Sequence, residues 1–211
     1  MFTREDLNNY LEHETGVFQN PRVKIAFETI DRAHFVPEAY ADEVYEDYAI
    51  HYGNGMRLMK PTAAAYLLEL GNIGAGQKVL IVGTMTGWLP ALAASAVGKD
   101  GDVYVVEANQ ANIDAAEAHL APYQFEHLQI FHGENTVGLS DLGPYDTVIV
   151  TRSLPDVPDV LVEQVRNGGT AVVPTDDGLV RVTKDDRGIV TTTTHEGFTF
   201  EPLAPLDEND Q

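Results

Sequence analysis

Residues 77–88, Q-K-V-L-I-V-G-T-M-T-G-W, constrain this chain more than any other stretch. Val79, Leu80, Ile81 and Val82 form a short apolar run, as expected of a parallel strand buried on both faces. Gly83 and Gly87 bracket a tight turn, and Trp88 to Val97 carries Ala and Leu at helical spacing. Strand, glycine turn and helix together make the first unit of a doubly wound α/β fold. Glu107 ends a second apolar strand (Val103, Tyr104, Val105, Val106), where a carboxylate is placed to accept hydrogen bonds from ribose hydroxyls. The dinucleotide fingerprint asks for glycines at 85 and 88, but Met85 and Trp88 stand there. That argues against a nicotinamide dinucleotide. An ordinary α/β turn beside an exposed glutamate is the plain alternative.

The rest of the chain alternates around this unit. Residues 3–16 and 21–31 read as amphipathic helices, the second opened by Asn20-Pro21. Residues 35–60 are rich in Tyr and turn residues and too irregular for a long helix, so they are expected to be ordered over a site. Pro61 opens a helix that runs to Leu70. After the helix 110–120 come strands at 128–131 and 147–151, a helix opened by Pro158 and ending at Asn167-Gly168-Gly169, and a strand at 170–173. Such alternation predicts a mostly parallel sheet covered on both faces. From Leu179 the pattern changes. L-V-R-V-T-K, D-D-R-G and I-V-T-T-T-T-H read as an antiparallel hairpin, and Phe198–Glu201 as a short last strand. Residues 1–206 are expected to form one domain: N-terminal helices and loop to 60, a core over 61–174 and a hairpin over 175–206. The tail 207–211 is expected to be disordered.

Charge narrows the partners. The chain carries 33 acidic against 13 basic residues, a net charge of −20. Its basic residues are scattered, so a nucleic-acid partner is disfavoured. The acids are scattered too, which suits a strongly hydrated, salt-adapted surface and a halophilic cytoplasm. No apolar run approaches a membrane span and the first residues are unlike a signal peptide, so neither a membrane partner nor export is expected. There are no cysteines, which excludes disulfides and thiolate metal sites.

Several stretches, taken in order, resemble the protein-L-isoaspartate O-methyltransferases. They are F-V-P-E-A-Y (35–40), Y-E-D (45–47), G-N-G (53–55), V-L-I-V-G-T-M-T-G-W (79–88), P-Y-D-T-V-I-V-T (144–151) and Q-V-R-N-G-G-T-A-V-V-P (164–174). The resemblance implies a Rossmann-like class I S-adenosylmethionine-dependent methyltransferase fold: α/β, doubly wound, with an N-terminal helical extension and the antiparallel hairpin at the C-terminal end. It also implies methylation of isoaspartyl carboxylates in damaged proteins, a repair reaction, so the expected partner is a protein or peptide carrying isoaspartate. An ionised carboxylate is already nucleophilic at neutral pH, so the absence of a catalytic triad counts for nothing. The resemblance assigns the cofactor S-adenosylmethionine to Gly83, Thr84, Gly87, Glu107, Glu134 and Asn135. It assigns the substrate loop to Gly53, Gly55, Arg57, Met59 and Pro61.

The chain departs from the family at those same places. Where the family reads G-x-G-Q-T-I-S-x-P-H, this chain has Gly53-Asn54-Gly55-Met56-Arg57-Leu58-Met59-Lys60-Pro61-Thr62. Arg57, Leu58 and Met59 hold the active-loop positions, and no catalytic residue is assigned. Met59 cannot donate a hydrogen bond to a carboxylate, whereas Arg57 could clamp one and shift the substrate. Arg57 as a plain surface charge, with the methionines packed over the site, is the competing expectation. In the family's V-L-E-I-G-T-G-S-G, Ile81 replaces the acid that would anchor the cofactor's amino group, and Met85 replaces the middle glycine. A Met85 side chain is expected to project towards the cofactor's methionine portion. Glu134, in H-G-E-N, keeps the acid for the adenine amine. A second function therefore stands beside the enzyme: a paralogue impaired in methyl transfer that binds or regulates an active relative.

Other candidates are weaker. His127 and His132 should face opposite sides of a strand, which makes a shared metal improbable, and no metal site is assigned. The remaining histidines are isolated. Asp42, Glu43, Glu46 and Asp47 read as a solvated acidic loop rather than a cation site. Tyr40, Tyr45, Tyr48 and Tyr52 wall the substrate groove or pack beneath the loop. Ser140 and Ser153 lack a nucleophile signature.

Overall fold

The structure, a computed structural model, describes residues 2–52, 56–133 and 138–200. Helix α1 (Arg4–His13) begins at a reciprocal cap. Asp6 N–H donates to Thr3 Oγ1 at 3.2 Å, and Thr3 N–H donates to Asp6 Oδ2 at 2.9 Å. Helix α2 (Pro21–Thr29) has Pro at its first turn and Asn20 accepting from Arg22 N–H at 3.0 Å. Both helices bury one stripe, Leu7 and Leu11 on α1 and Val23, Ala26 and Phe27 on α2. A 3₁₀ turn (Arg32–Phe35) leads into the stretch expected to be irregular, which holds a second one (Glu38–Tyr40) and a small antiparallel pair, β1 (Ile50–Tyr52) and β2 (Met56–Leu58). Helix α3 (Pro61–Leu70) follows, opened by Pro61 as expected.

The core elements alternate from there. They are β3 (Lys78–Val82), α4 (Trp88–Val97), β4 (Asp102–Glu107), α5 (Gln110–Leu120), β5 (Leu128–His132) and β6 (Tyr145–Val150). The chain continues through α6 (Asp159–Glu163), β7 (Val165–Thr175), β8 (Gly178–Lys184) and β9 (Val190–His195). One sheet orders these strands β5-β4-β3-β6-β7-β8-β9. Pairs from β5 through β7 are parallel, while β7–β8 and β8–β9 are antiparallel. This is the doubly wound sheet with a terminal hairpin.

Burial on both faces explains the unbroken apolar run of β3. Val79 and Ile81 enter the cluster under α1 to α5, whereas Leu80 and Val82 enter a second cluster with Val148, Val150 and Leu161. The second face has thinner cover. Lys78 lies there over the rings of Tyr104 and Tyr145, at 5.5 and 5.6 Å.

Two expected elements need correction. The helix opened by Pro158 ends at Glu163, so Asn167-Gly168-Gly169 lie inside β7 rather than at a helix end. There the register with β6 slips, Tyr145 pairing with Val165 and Thr147 with Thr170. The glycines serve that irregularity: Gly168 has φ 77°, and a Cβ on Gly169 would meet Asp146 O at 2.8 Å. Residues 198–200 form no strand; Phe198 instead packs edge-on against Tyr66 at 4.8 Å. Glu201 and the tail 207–211 lie outside the described residues.

Candidate active site

The sheet order reverses between β3 and β6, so the crevice of this fold opens at their carboxyl ends. Three segments meet there: the turn 83–87, the end of β4 and the residues after β6. Gly83, Met85 and Gly87 take φ values of 97°, 50° and 89°. The turn therefore follows a glycine-like path even though one of the three residues is methionine. A left-handed conformation costs an L-residue about 1–2 kcal/mol, so Met85 is held there by its surroundings. Gly83 has no such freedom to be replaced. A Cβ at that position would lie 2.2 Å from Thr151 Oγ1, which donates to Val82 O at 3.0 Å and thereby locks β6 to β3 at the crevice.

Glu107 is held at the head of this turn by five donors. Its Oε1 accepts from the N–H groups of Ala108 (2.9 Å) and Asn109 (3.0 Å). Its Oε2 accepts from Thr84 N–H (3.1 Å), Thr84 Oγ1 (3.0 Å) and Asn112 Nδ2 (3.3 Å). The carboxylate thus joins the end of β4 to the turn after β3 and is aimed by main chain. Met85 is only 7% exposed and belongs to the main core cluster. Its side chain packs into that cluster. Ile81 is fully buried in the same cluster, so β3 offers no carboxylate there. Glu134 and Asn135 lie outside the described residues.

The segment expected to be the substrate loop contains the β1–β2 pair, in which His51 pairs with Arg57. Leu58 and Met59 are buried in the core, while Arg57 is half-buried on the opposite side of the strand from Leu58. Gly53 and Gly55 lie outside the described residues. Asp47 is not a solvated acid of a loose loop. It accepts from Thr62 N–H at 2.9 Å and Thr62 Oγ1 at 2.6 Å, capping α3, and Lys60 Nζ lies 3.3 Å away. The tyrosines serve the loop itself: Tyr45 donates to Asp31 at 2.8 Å and Tyr48 to Glu43. Burial, with Asp31 beside it, pushes the Tyr45 hydroxyl up to about 12.

The histidines go their separate ways. His119 Nδ1 donates to Thr86 O at 2.9 Å, His127 Nε2 to Ala94 O at 3.1 Å and His132 Nε2 to Ala108 O at 2.9 Å. The last two touch different elements: His127, just before β5, reaches α4, and His132, at the end of β5, reaches the residue after β4.

Sequence reasoning missed Arg32. It is 2% exposed, and its guanidinium donates only to main-chain carbonyls. Nη1 reaches Val44 O and, at 3.3 Å, Glu46 O; Nη2 reaches Tyr48 O at 2.8 Å and Met59 O at 2.9 Å. Its Cζ lies 5.2 Å from the ring centre of Trp88, the first residue of α4 after the turn. Burial lowers its pKa to about 9, which leaves it charged at neutral pH. No charge pattern announces such a residue. The one hint is its place between buried Ile30 and Phe35.

The sequence profile of the protein-L-isoaspartate (D-aspartate) O-methyltransferase family matches residues 3–208. The chain belongs to this family. A relative named protein-L-isoaspartate O-methyltransferase 2, from Archaeoglobus fulgidus, is 33% identical over 203 residues, 95% of this chain and 92% of that protein. A protein-L-isoaspartate O-methyltransferase from Methanothrix thermoacetophila is 34% identical over 170 residues, covering 81% of this chain and 77% of the relative. Among solved structures, a protein-L-isoaspartate O-methyltransferase superposes with a TM-score of 0.85 at 24% identity, over 96% of this chain and 66% of that one. A Plasmodium falciparum member of the same family, solved with S-adenosyl-L-homocysteine, gives 0.84 at 18% identity over 97% and 100% of the two chains. Both likenesses carry the fold: a class I methyltransferase sheet with the family's N-terminal extension and terminal hairpin.

Proposed function

We propose that this protein is an S-adenosylmethionine-dependent protein-L-isoaspartate O-methyltransferase. The observation that carries the reading is Glu107, fixed at the head of the left-handed turn 83–87 at the switch point of a chain of this family. When bound, S-adenosylmethionine supplies an electrophilic methyl group on a sulfonium centre. The donor set around Glu107 fits its ribose. Three main-chain N–H groups orient the carboxylate, while the Thr84 hydroxyl and the Asn112 amide, the latter at 3.3 Å, are rotatable partners that two ribose hydroxyls could replace. Gly83, Thr84 and Gly87 shape the turn beneath it, and Glu134 with Asn135 would take the adenine.

The acceptor side asks for orientation rather than acid–base chemistry. An isoaspartyl carboxylate is ionised at neutral pH, so the chain has only to align it and keep water out. We assign that work to Gly53, Gly55, Arg57, Met59 and Pro61, with Arg57 as the cation for an acidic acceptor. The relatives, named as enzymes, give no support to the alternative of an impaired paralogue that regulates an active one. The natural setting we infer is a salty cytoplasm, with damaged proteins as substrate and neither nucleic acid nor membrane as partner; the net charge of −20 supports it.

The test is methyl transfer to an isoaspartyl peptide in molar potassium chloride, against the same peptide with ordinary aspartate. Base-labile methyl ester on the first peptide alone is expected. Calorimetric titration should show S-adenosylhomocysteine binding that Glu107→Gln weakens by about tenfold or more, the worth of a charged hydrogen bond. No binding to folded wild-type protein would sink the proposal.

A further inference from the structure

We infer that Arg32 is a positioning residue of the methyl-transfer site, clipping the base of the β1–β2 hairpin to the start of α4. The inference rests on the reading of that hairpin as the substrate loop. Its ground is where the four carbonyls lie. Tyr48 lies just ahead of the hairpin, separated from β1 by Ala49 alone, and Met59 immediately follows it; one nitrogen, Nη2, holds both at 2.8 and 2.9 Å. The other nitrogen holds the approach to the hairpin through Val44 and Glu46. Three residue pairs are all that β1 and β2 themselves share, so the clip is a large part of what fixes their place.

The guanidinium also reaches the start of α4. Its Cζ lies 5.2 Å from the ring centre of Trp88, which directly follows Gly87, so one side chain joins the ends of the hairpin to the residue after the turn. A residue selected for stability alone would look different. Among the described residues Arg32 has no carboxylate in hydrogen-bond contact, and its buried Nε, like Trp88 Nε1, has no acceptor. Burying a charge on those terms is costly, and an apolar side chain of similar size would serve packing better. What a guanidinium supplies instead is a rigid planar fork that sets several carbonyls at fixed relative positions.

The experiment compares full-length wild type and Arg32→Lys in molar potassium chloride, well below the melting temperature. An ammonium group cannot span the four carbonyls. Amide hydrogen exchange is expected to accelerate within residues 44–59 while residues 78–82 of the central strand keep their protection. S-adenosylhomocysteine affinity should stay at the wild-type value, and kcat on the isoaspartyl peptide should fall by about a hundredfold, the usual consequence of a reactant misplaced by an ångström. Exchange that rises evenly across the sheet, or an unchanged kcat, overturns the inference. Should the lysine variant fail to fold, Arg32→Gln, which removes the buried charge, carries the same comparison. If the wild type leaves the peptide unmethylated, the functional reading fails, and the exchange pattern still decides whether Arg32 clips the hairpin.

Discussion

At Gly83 the crevice leaves no room for a side chain, and two separate causes can be pulled apart. The residue sits at φ 97°, and an added Cβ would meet Thr151 Oγ1 at 2.2 Å. Gly83→Ala is therefore expected to cost about 2–4 kcal/mol in denaturant titration, backbone strain and the collision together. Thr151→Ala removes the colliding oxygen, so the double variant should recover the steric part and show a coupling of about 1 kcal/mol or more. Strict additivity would refute the collision. Gly83 and Glu107 were legible in the sequence because a left-handed turn selects glycine and the strand end selects the acid. Arg32 was not, since its partners are carbonyls that any residue supplies. Met85 combines features the sequence alone does not show together: its backbone keeps the glycine conformation while its side chain packs into the core.

Helix α3 shows how an element is tied to its neighbours by one carboxylate. Glu69 accepts from Gln19 N–H at 3.1 Å and from Asn20 N–H at 3.0 Å, anchoring the connection between α1 and α2. Burial holds its carboxyl above the ordinary value of 4.5, outweighing the two main-chain donors. With the folded pKa above the unfolded one, the native state binds more protons in the window that opens at 4.5, and stability falls as pH rises through it. Glu69→Gln keeps an acceptor but does not ionise. Its melting temperature should match wild type at the acid end and exceed it towards neutrality, the gap widening with pH; a constant gap would contradict this. The core strands and the terminal hairpin were legible as elements from apolar runs and turn residues. The hairpin β1–β2 was hidden because three-residue strands leave too short an alternation to read. The bulge of β7 was hidden because Gly-Gly also ends helices.

For the molecule as a whole, charge sets the conditions of stability. Thirty-three acids face 13 bases, leaving 20 negative charges uncompensated. Raising potassium chloride from 0.1 to 1 M shortens the screening length from about 10 to about 3 Å. The melting temperature should rise steeply over that range, although exposed pairs such as Arg187–Asp185 weaken. A flat or falling response would show that the surface is not limited by self-repulsion. The sheet order carries a different consequence. Strand β3 lies between β4, made soon after it, and β6, which is not complete until residue 150. A chain still emerging from the ribosome with only β3 to β5 formed presents one whole side of Val79–Val82 without a neighbour. Such an apolar, unpaired edge is sticky. The chain thus carries an unpaired apolar edge through the middle of its own synthesis, until β6 arrives.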